Sequence, residues 1–347
     1  MNEIFARGIE KWYSQHGRHL PWRETRNPYS IWISEIILQQ TRVAQGMDYY
    51  HRFLEKFPTV EALAAASEDE VLRMWQGLGY YSRARNLHAA SKQIVEMGHF
   101  PDTYESIRSL RGVGDYTAAA IASISFGLPC AVLDGNVYRV LSRYLGQETP
   151  IDTTAGQKLF RALADEMLDP IHPALYNQAI MDFGALQCTP QNPLCLYCPL
   201  NESCAALATG KVDTLPVKIH KTKVRDRYFS YLYMETNSGE VLIQRRDAGD
   251  IWEGLYQLPL LESSDGPVSA DEMEKKYPGC KLLVQGMTHQ LSHQLLHADC
   301  YHIIVPDSSS RNLPKGQWVK RDELENFAMP KLLLRILEKV FSEIYSE

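Results

Sequence analysis

Residues 110–118 read Leu110-Arg111-Gly112-Val113-Gly114-Asp115-Tyr116-Thr117-Ala118, and the chain then stays apolar and Ala-rich to Phe126. Two glycines with one apolar residue between them end one helix and open the next. Backbone without side chains comes close to a ligand there, and the first N–H groups of the new helix have no partner within it. A turn with Gly112 and Gly114 at its tip is therefore suited to an anion. Alone, Gly-x-Gly fits a plain turn between packed helices equally well, so its neighbours have to decide. Beyond Phe126 a short loop, Gly127-Leu128-Pro129, leads to Asp134-Gly135-Asn136-Val137. Asp134 falls at the start of a helix over 136–144, where a carboxylate is either an N-cap or a reacting group.

Upstream, Pro21-Trp22-Arg23 and Asn27-Pro28 form an irregular entry to one long helical pattern that starts at Ile31, runs towards Phe57 and stops at Pro58. Ile33, Ile36, Ile37, Leu38 and Val43 surround Glu35 in it, which puts the carboxylate at the edge of a buried face. Apolar surroundings disfavour the ionised form and raise the pKa. A general acid needs that at neutral pH. The plainer alternative is a Glu on the solvated side of an amphipathic helix, where most Glu residues sit. Gln39-Gln40-Thr41 adds side chains that donate and accept hydrogen bonds. The stretch Trp75 to Arg85 joins glycines, paired tyrosines and two arginines. That mix stacks on bases and pairs with phosphates, or else makes a packing turn with solvated arginines.

Downstream, a helix over 173–186 runs into Cys188-x6-Cys195-x2-Cys198-x5-Cys204, a loop rich in proline. Four thiols in one short loop indicate a four-coordinate metal site or an iron–sulfur cluster. Zinc ribbons present two separated Cys-x-x-Cys knuckles. One pair flanked by single cysteines favours [4Fe-4S] over zinc.

The 347 residues suffice for about two domains. Charged residues make up 22% and hydrophobic ones 45%, an ordinary soluble composition. No apolar run is long enough to span a bilayer, and Glu3, Arg7 and Glu10 interrupt any signal-peptide core, so a cytoplasmic location is expected. In a chain without an export signal, seven cysteines point to metal or packing before disulfides. The net charge of −6 argues mildly against nucleic acid as a partner, although a local positive face can coexist with an acidic total.

Taken together, Ser34-Glu35-Ile36-Ile37-Leu38-Gln39-Gln40-Thr41, Gly77-Leu78-Gly79-Tyr80-Tyr81, the two hairpin glycines, Leu133 to Val137 and the four-Cys loop outweigh that charge argument. Over residues 1–208 the chain resembles the helix-hairpin-helix DNA glycosylases that carry an iron–sulfur cluster, the endonuclease III class. Within that class it is similar to the adenine-specific branch. The resemblance implies a base-excision hydrolase for adenine opposite 8-oxoguanine or guanine in double-stranded DNA, a [4Fe-4S] cluster on Cys188, Cys195, Cys198 and Cys204, and a monomer. It implies that Glu35 protonates adenine N7 and later activates water. Asp134 would stay ionised and stabilise the oxocarbenium-like charge, by its field or by a covalent adduct, with Tyr116 and Asn136 in support. The division of labour between two carboxylates is the one glycoside hydrolases use. Base flipping is required. By the same resemblance Trp22, Arg23, Leu38 and Gln178 line the base pocket, while Gln40, Thr41, Leu78, Gly79 and Tyr80 contact the opened duplex. The cluster loop would present Arg and Lys side chains to phosphate. Endonuclease III has a Lys nucleophile where this chain has Tyr116, so no Schiff base forms by that route and the glycosylase is monofunctional.

Residues 209–225, with four lysines and Pro216, read as a linker. Strand patterns at 228–234, 241–245 and 302–305 and helices over 270–277 and 331–345 then define an α/β domain, 226–347. Gln244-Arg245-Arg246 and Ile251 to Pro259 resemble the opening of a Nudix domain, without the Glu-rich metal helix of Nudix hydrolases. The resemblance implies a recognition domain that checks for 8-oxoguanine with Ser292 and His293. Leu291 stands where the related domains have Phe. Cys130, Cys280 and Cys300 read as ordinary thiols. The expected fold is thus a mostly α-helical helix-hairpin-helix domain with a cluster loop, followed by a Nudix-like α/β domain. Competing readings are an oxidised-pyrimidine glycosylase/lyase, a DNA-binding redox sensor and a nucleotide hydrolase.

Overall fold

The computed structural model describes residues 2–220, 223–306 and 313–345; Lys221, part of the expected linker, lies outside them. The chain divides into two units: Met1–Ala65 with Asn86–His220, and Ala66–Arg85 with Lys221–Glu347. The second unit therefore includes a stretch that the sequence reading assigned to the N-terminal domain.

The first unit is helical. It contains α1 (Asn2–His16), α2 (Pro28–Leu38), α3 (Val43–Lys56) and α4 (Val60–Ala65). The chain then passes through α5 (Glu68–Trp75), which belongs to the second unit, and α6 (Ser82–Met97). It continues with α7 (Tyr104–Arg108), α8 (Asp115–Phe126), α9 (Gly135–Leu145), α10 (Thr154–Met167), α11 (Pro173–Asp182) and the short α12 (Ala205–Ala208). Helix α8 is the central element and packs against α2, α7 and α11. Its residues Thr117 to Ile124 are all buried. Alanines and serines on every side make this possible, because small side chains let several helices approach one axis.

The helix expected from Ile31 to Phe57 is broken at Gln39–Arg42, giving α2 and α3. Gln40 adopts φ 58°, a left-handed backbone that ends α2 without proline or glycine. At the hairpin, Gly112 has φ +75°, and a Cβ there would stand 2.5 Å from Asn86 Cβ. Only glycine meets both conditions. Gly114 is the N-cap of α8, and a Cβ there would meet nothing within 4 Å. Space is open beside the free N–H groups of the α8 terminus.

The second unit contains a seven-stranded sheet among the described residues, of path order β3-β2-β1-β6-β5. Its strands are β1 (Arg225–Thr236), β2 (Glu240–Arg245), β3 (Tyr256–Gln257), β4 (Leu260–Ser263), β5 (Lys281–Gln290), β6 (Gln294–Val305) and β7 (Gln317–Lys320). β1 and β6 run parallel at its centre, from Arg225 opposite Gln294 to Thr236 opposite Val305. Period-two alternation places Phe229, Tyr231 and Tyr233 of β1 on one face with Leu332, Leu333, Ile336 and Val340 of α14 (Lys331–Tyr345). Leu232 and Met234 face the other way, towards Met273 of α13 (Ala270–Lys276). After Pro259 the chain enters β4, with no helix before α13.

Candidate active site

Helix α2 begins where Asn27 Oδ1 accepts a hydrogen bond from Ser30 N at 3.1 Å, with Pro28 at its first turn. Tyr29 and Ile31 to Ile37 are all buried, so Glu35 comes from a helix that is apolar all round. It is 8% exposed. Burial raises its pKa to about 7, against the pull of the Tyr116 hydroxyl and the Arg23 charge; Asp134 adds a smaller push upwards. The carboxyl is thus divided between its two forms at neutral pH.

Asp134 is the N-cap of α9. Its Oδ1 accepts from Val137 N at 2.8 Å and its Oδ2 from Asn136 Nδ2 at 2.9 Å. The cap reading of Asp134 is thus what the structure shows, and the same residue lines the cavity that Glu35 lines. Burial raises this carboxyl above its ordinary value too, against the downward pull of the hydrogen bonds from Val137 and Asn136 and of the Arg139 charge. Two carboxyls on one cavity have different surroundings. Glu35 is in apolar burial, and Asp134 is held by donors.

That cavity, of about 460 Å³, also receives Trp22, Arg23, Leu38, Gln40, Thr41, Tyr116, Asn136 and Gln178. Ten residues singled out in the sequence thus meet in one place. No lysine is among the described residues that line it. Arg23 is fixed by a two-pronged ion pair with the fully buried Asp182, at 2.6 and 2.7 Å, and Arg18 adds three more hydrogen bonds, from its backbone N, Nε and Nη2. Burial alone would raise Asp182, but Arg23 and Arg18 outweigh it and hold the carboxyl below its usual range. Arg18, Met181 and Asp182 were missed by sequence reasoning, because nothing local ties residues 18–23 to residues near 180.

A second cavity, of about 490 Å³ and within the second unit, collects Leu78, Gly79, Tyr80, Ser292 and His293. The sequence reading grouped Leu78, Gly79 and Tyr80 with Gln40 and Thr41; the structure puts them on a different cavity. Residues 291–293 form the turn between β5 and β6, closed by Leu291 N donating to Gln294 O at 2.8 Å. The Tyr80 and Ser292 hydroxyls are hydrogen-bonded to each other. The turn carrying Tyr80 has Gly77 at φ 97° and Gly79 at φ 74°. Gly112 and Gly114 line neither cavity; they stay at the hairpin.

Cys188, Cys195, Cys198 and Cys204 line a third cavity together with Arg143. No Lys or Arg stands between Cys188 and Cys204, which corrects the expectation that the loop offers cations to phosphate. The basic groups come instead from α9 and are spent on the loop itself. Arg139 donates to Cys188 O at 2.8 Å, Gly184 O at 2.6 Å and Asn136 Oδ1 at 2.9 Å. Arg143 donates to Thr189 O at 2.7 Å and Pro190 O at 3.1 Å, and stands 3.5 Å from Cys188 Sγ. A spacing of four along α9 puts both arginines on one face, a signal that reads in sequence as a solvated helix.

The family model of the HhH-GPD superfamily base excision DNA repair proteins matches residues 33–164, and that of the NUDIX domain matches residues 230–339. The chain is 44% identical to an adenine DNA glycosylase of Mus musculus, over 96% of this chain and 77% of that one. It is 32% identical to an adenine DNA glycosylase of Buchnera aphidicola subsp. Baizongia pistaciae (strain Bp), over 97% of each. Against the Rattus norvegicus enzyme of the same name, at 44% identity, it spans 44% of the relative's length. Among solved structures, a thermostable thymine-DNA glycosylase superposes with a TM-score of 0.56 at 28% identity, over 60% of this chain and 97% of that one. Family models on both halves and relatives along the whole length agree: the chain belongs to the adenine DNA glycosylases, base-excision enzymes that act on DNA.

Proposed function

We propose that this glycosylase removes adenine paired with 8-oxoguanine or guanine, by hydrolysis of the bond between the purine N9 and deoxyribose C1′. The observation that carries the reading is the pair of carboxyls on the first cavity, Glu35 with a pKa of about 7 and Asp134 held by Val137 and Asn136. Adenine leaves the stack and enters the cavity, where Trp22, Leu38 and Gln178 stand in its wall. Protonated Glu35 gives its proton to adenine N7, so the electrons of the breaking bond leave on a neutral base. Ionised Asp134 stabilises the positive charge that develops at C1′. Water then adds to C1′ and returns a proton to Glu35. With Tyr116 after the hairpin and no lysine in the described lining, the reaction stops at the abasic site.

Cys188, Cys195, Cys198 and Cys204 would hold a [4Fe-4S] cluster. Among the described residues no group of three or more His, Cys, Asp or Glu converges closely enough for a single metal ion. The four thiols surround a cavity instead, which favours a polynuclear cluster over tetrahedral zinc. When bound, the cluster supplies structural cross-linking of the 188–204 loop. Arg139 and Arg143 anchor that loop to α9, and Asn136, which holds Asp134, is bonded to Arg139.

A single-turnover assay on duplexes with one adenine opposite 8-oxoguanine, guanine or thymine tests the reading. Strand breaks that appear only after alkali, fastest opposite 8-oxoguanine, are expected. Release at equal rates from all three pairs would overturn the opposite-base assignment, and breaks without alkali would overturn the monofunctional one.

A further inference from the structure

The turn that enters the second cavity from β2 is fastened on both sides. Asp250 accepts from Arg227 Nη2 at 2.7 Å and from Arg246 Nη2 at 2.6 Å. Arg246 Nε donates to Ile251 O at 2.8 Å, and Gly254 N donates back to Arg246 O at 3.0 Å. Between these anchors Trp252 has φ 62°, a left-handed backbone that a bulky residue rarely adopts. Such a conformation persists only where surrounding contacts over-determine it, and it concentrates at ligand clamps. The Trp252 ring meets Phe229 edge-on, with centroids 6.3 Å apart, and His289 at 6.0 Å. It also forms part of the wall of the cavity that holds Ser292.

Ser292 is exposed and Tyr80 is 51% exposed, so water reaches their hydroxyls in the free protein. 8-Oxoguanine differs from guanine in carrying an N7–H donor and a C8 carbonyl. A hydroxyl discriminates between two such bases only when the poorer partner leaves a polar group buried and unpaired. The cavity must therefore become dry once a base occupies it. Its apolar wall consists of Leu78, Ile251, Trp252 and Leu291, of which Trp252 is the largest. Leu291 offers no ring of its own.

We propose that Trp252 is a specificity-determining residue: its ring bears on the base opposite the excised adenine and keeps water from the Ser292 hydroxyl, favouring 8-oxoguanine over guanine. This rests on the substrate proposed above. The test compares wild type with Trp252→Phe, which keeps a ring, and Trp252→Gly, which removes the ring and accepts a positive φ without strain. Trp252→Leu reads the same quantity if the Gly variant does not fold. The measured quantity is the ratio of single-turnover adenine release opposite 8-oxoguanine to release opposite guanine, at subsaturating enzyme. A drop of about tenfold in Trp252→Gly, with Trp252→Phe within about threefold of wild type, is expected for a lost water-excluding contact. An unchanged ratio, or two rates falling by the same factor, overturns the inference and leaves the substrate standing. A wild-type ratio of one overturns the inference alone, and equal release opposite 8-oxoguanine, guanine and thymine overturns the substrate as well.

Discussion

The Tyr116 hydroxyl acts on the Glu35 carboxyl and pulls its pKa down against the burial that raises it, so the carboxyl sits near 7 as the balance of two opposed effects. The Tyr116 hydroxyl oxygen also stands 3.2 Å from Met181 Sδ, in the cavity wall. The residue that replaces a lysine nucleophile therefore has a task of its own.

Tyr116→Phe removes the downward pull and leaves burial unopposed at that side. On the proposed mechanism Glu35 works in its protonated form, so release should fall as pH rises through its pKa, and the variant should shift that fall to higher pH. Single-turnover release measured from pH 5 to 9, about the range over which carboxyls of this kind titrate, checks it. An alkaline limb at the wild-type position would refute the coupling.

Glu35→Gln keeps the shape of the side chain and removes the transferable proton. Adenine release should fall by about 10²–10⁴, the usual worth of general acid catalysis, while duplex binding persists. A gel-shift titration beside the release assay separates the two. Unaltered release would sink the assignment.

The same substitution should change stability in a pH-dependent direction. Glu35 has a folded pKa of about 7 against the ordinary 4.5. A raised folded pKa contributes stability that is fully present below 4.5 and lost as pH rises through about 7. The difference of about 2.5 pH units is worth roughly 3 kcal/mol. Melting of wild type should therefore decline relative to Glu35→Gln between pH 4.5 and 8. Parallel melting curves across that window would show that the carboxyl is not desolvated as the helix geometry requires.

Arg143 is 3% exposed, and its guanidinium serves Thr189, Pro190 and Leu215 carbonyls beside Cys188 Sγ. Arg143→Met leaves these acceptors buried and unpaired, at about 1–3 kcal/mol each. Iron content and the visible absorption of the purified protein should fall, and its melting temperature with them. A variant with full iron content and unchanged melting would show that the loop holds itself.

Much of the site was readable because its chemistry is local. Glu35 sits in a run of isoleucines, Gly112 occupies a position that only glycine fills, and α14 has the expected bounds, 331–345. The break at Gln39–Arg42 was not readable, since the left-handed Gln40 carries no proline or glycine to announce it. Strand β5 was also missed. Most of its residues are exposed and its register with β6 is irregular, so period-two alternation fades. Arg139 and Arg143 were not singled out in the sequence. Segments some 45 and 72 residues further on give them carbonyls to bind.

The two cavities draw on the chain very differently. Every residue lining the first falls between Arg18 and Ala185, whereas the second needs both Gly77 to Arg85 and Asp250 to Lys331. Translation halted in the linker would thus, on the proposed reading, spare the lining of the excision site and halve that of the inspecting one. On the proposed reading, the product would be an enzyme still competent to strip adenines but deprived of its grounds for choosing them.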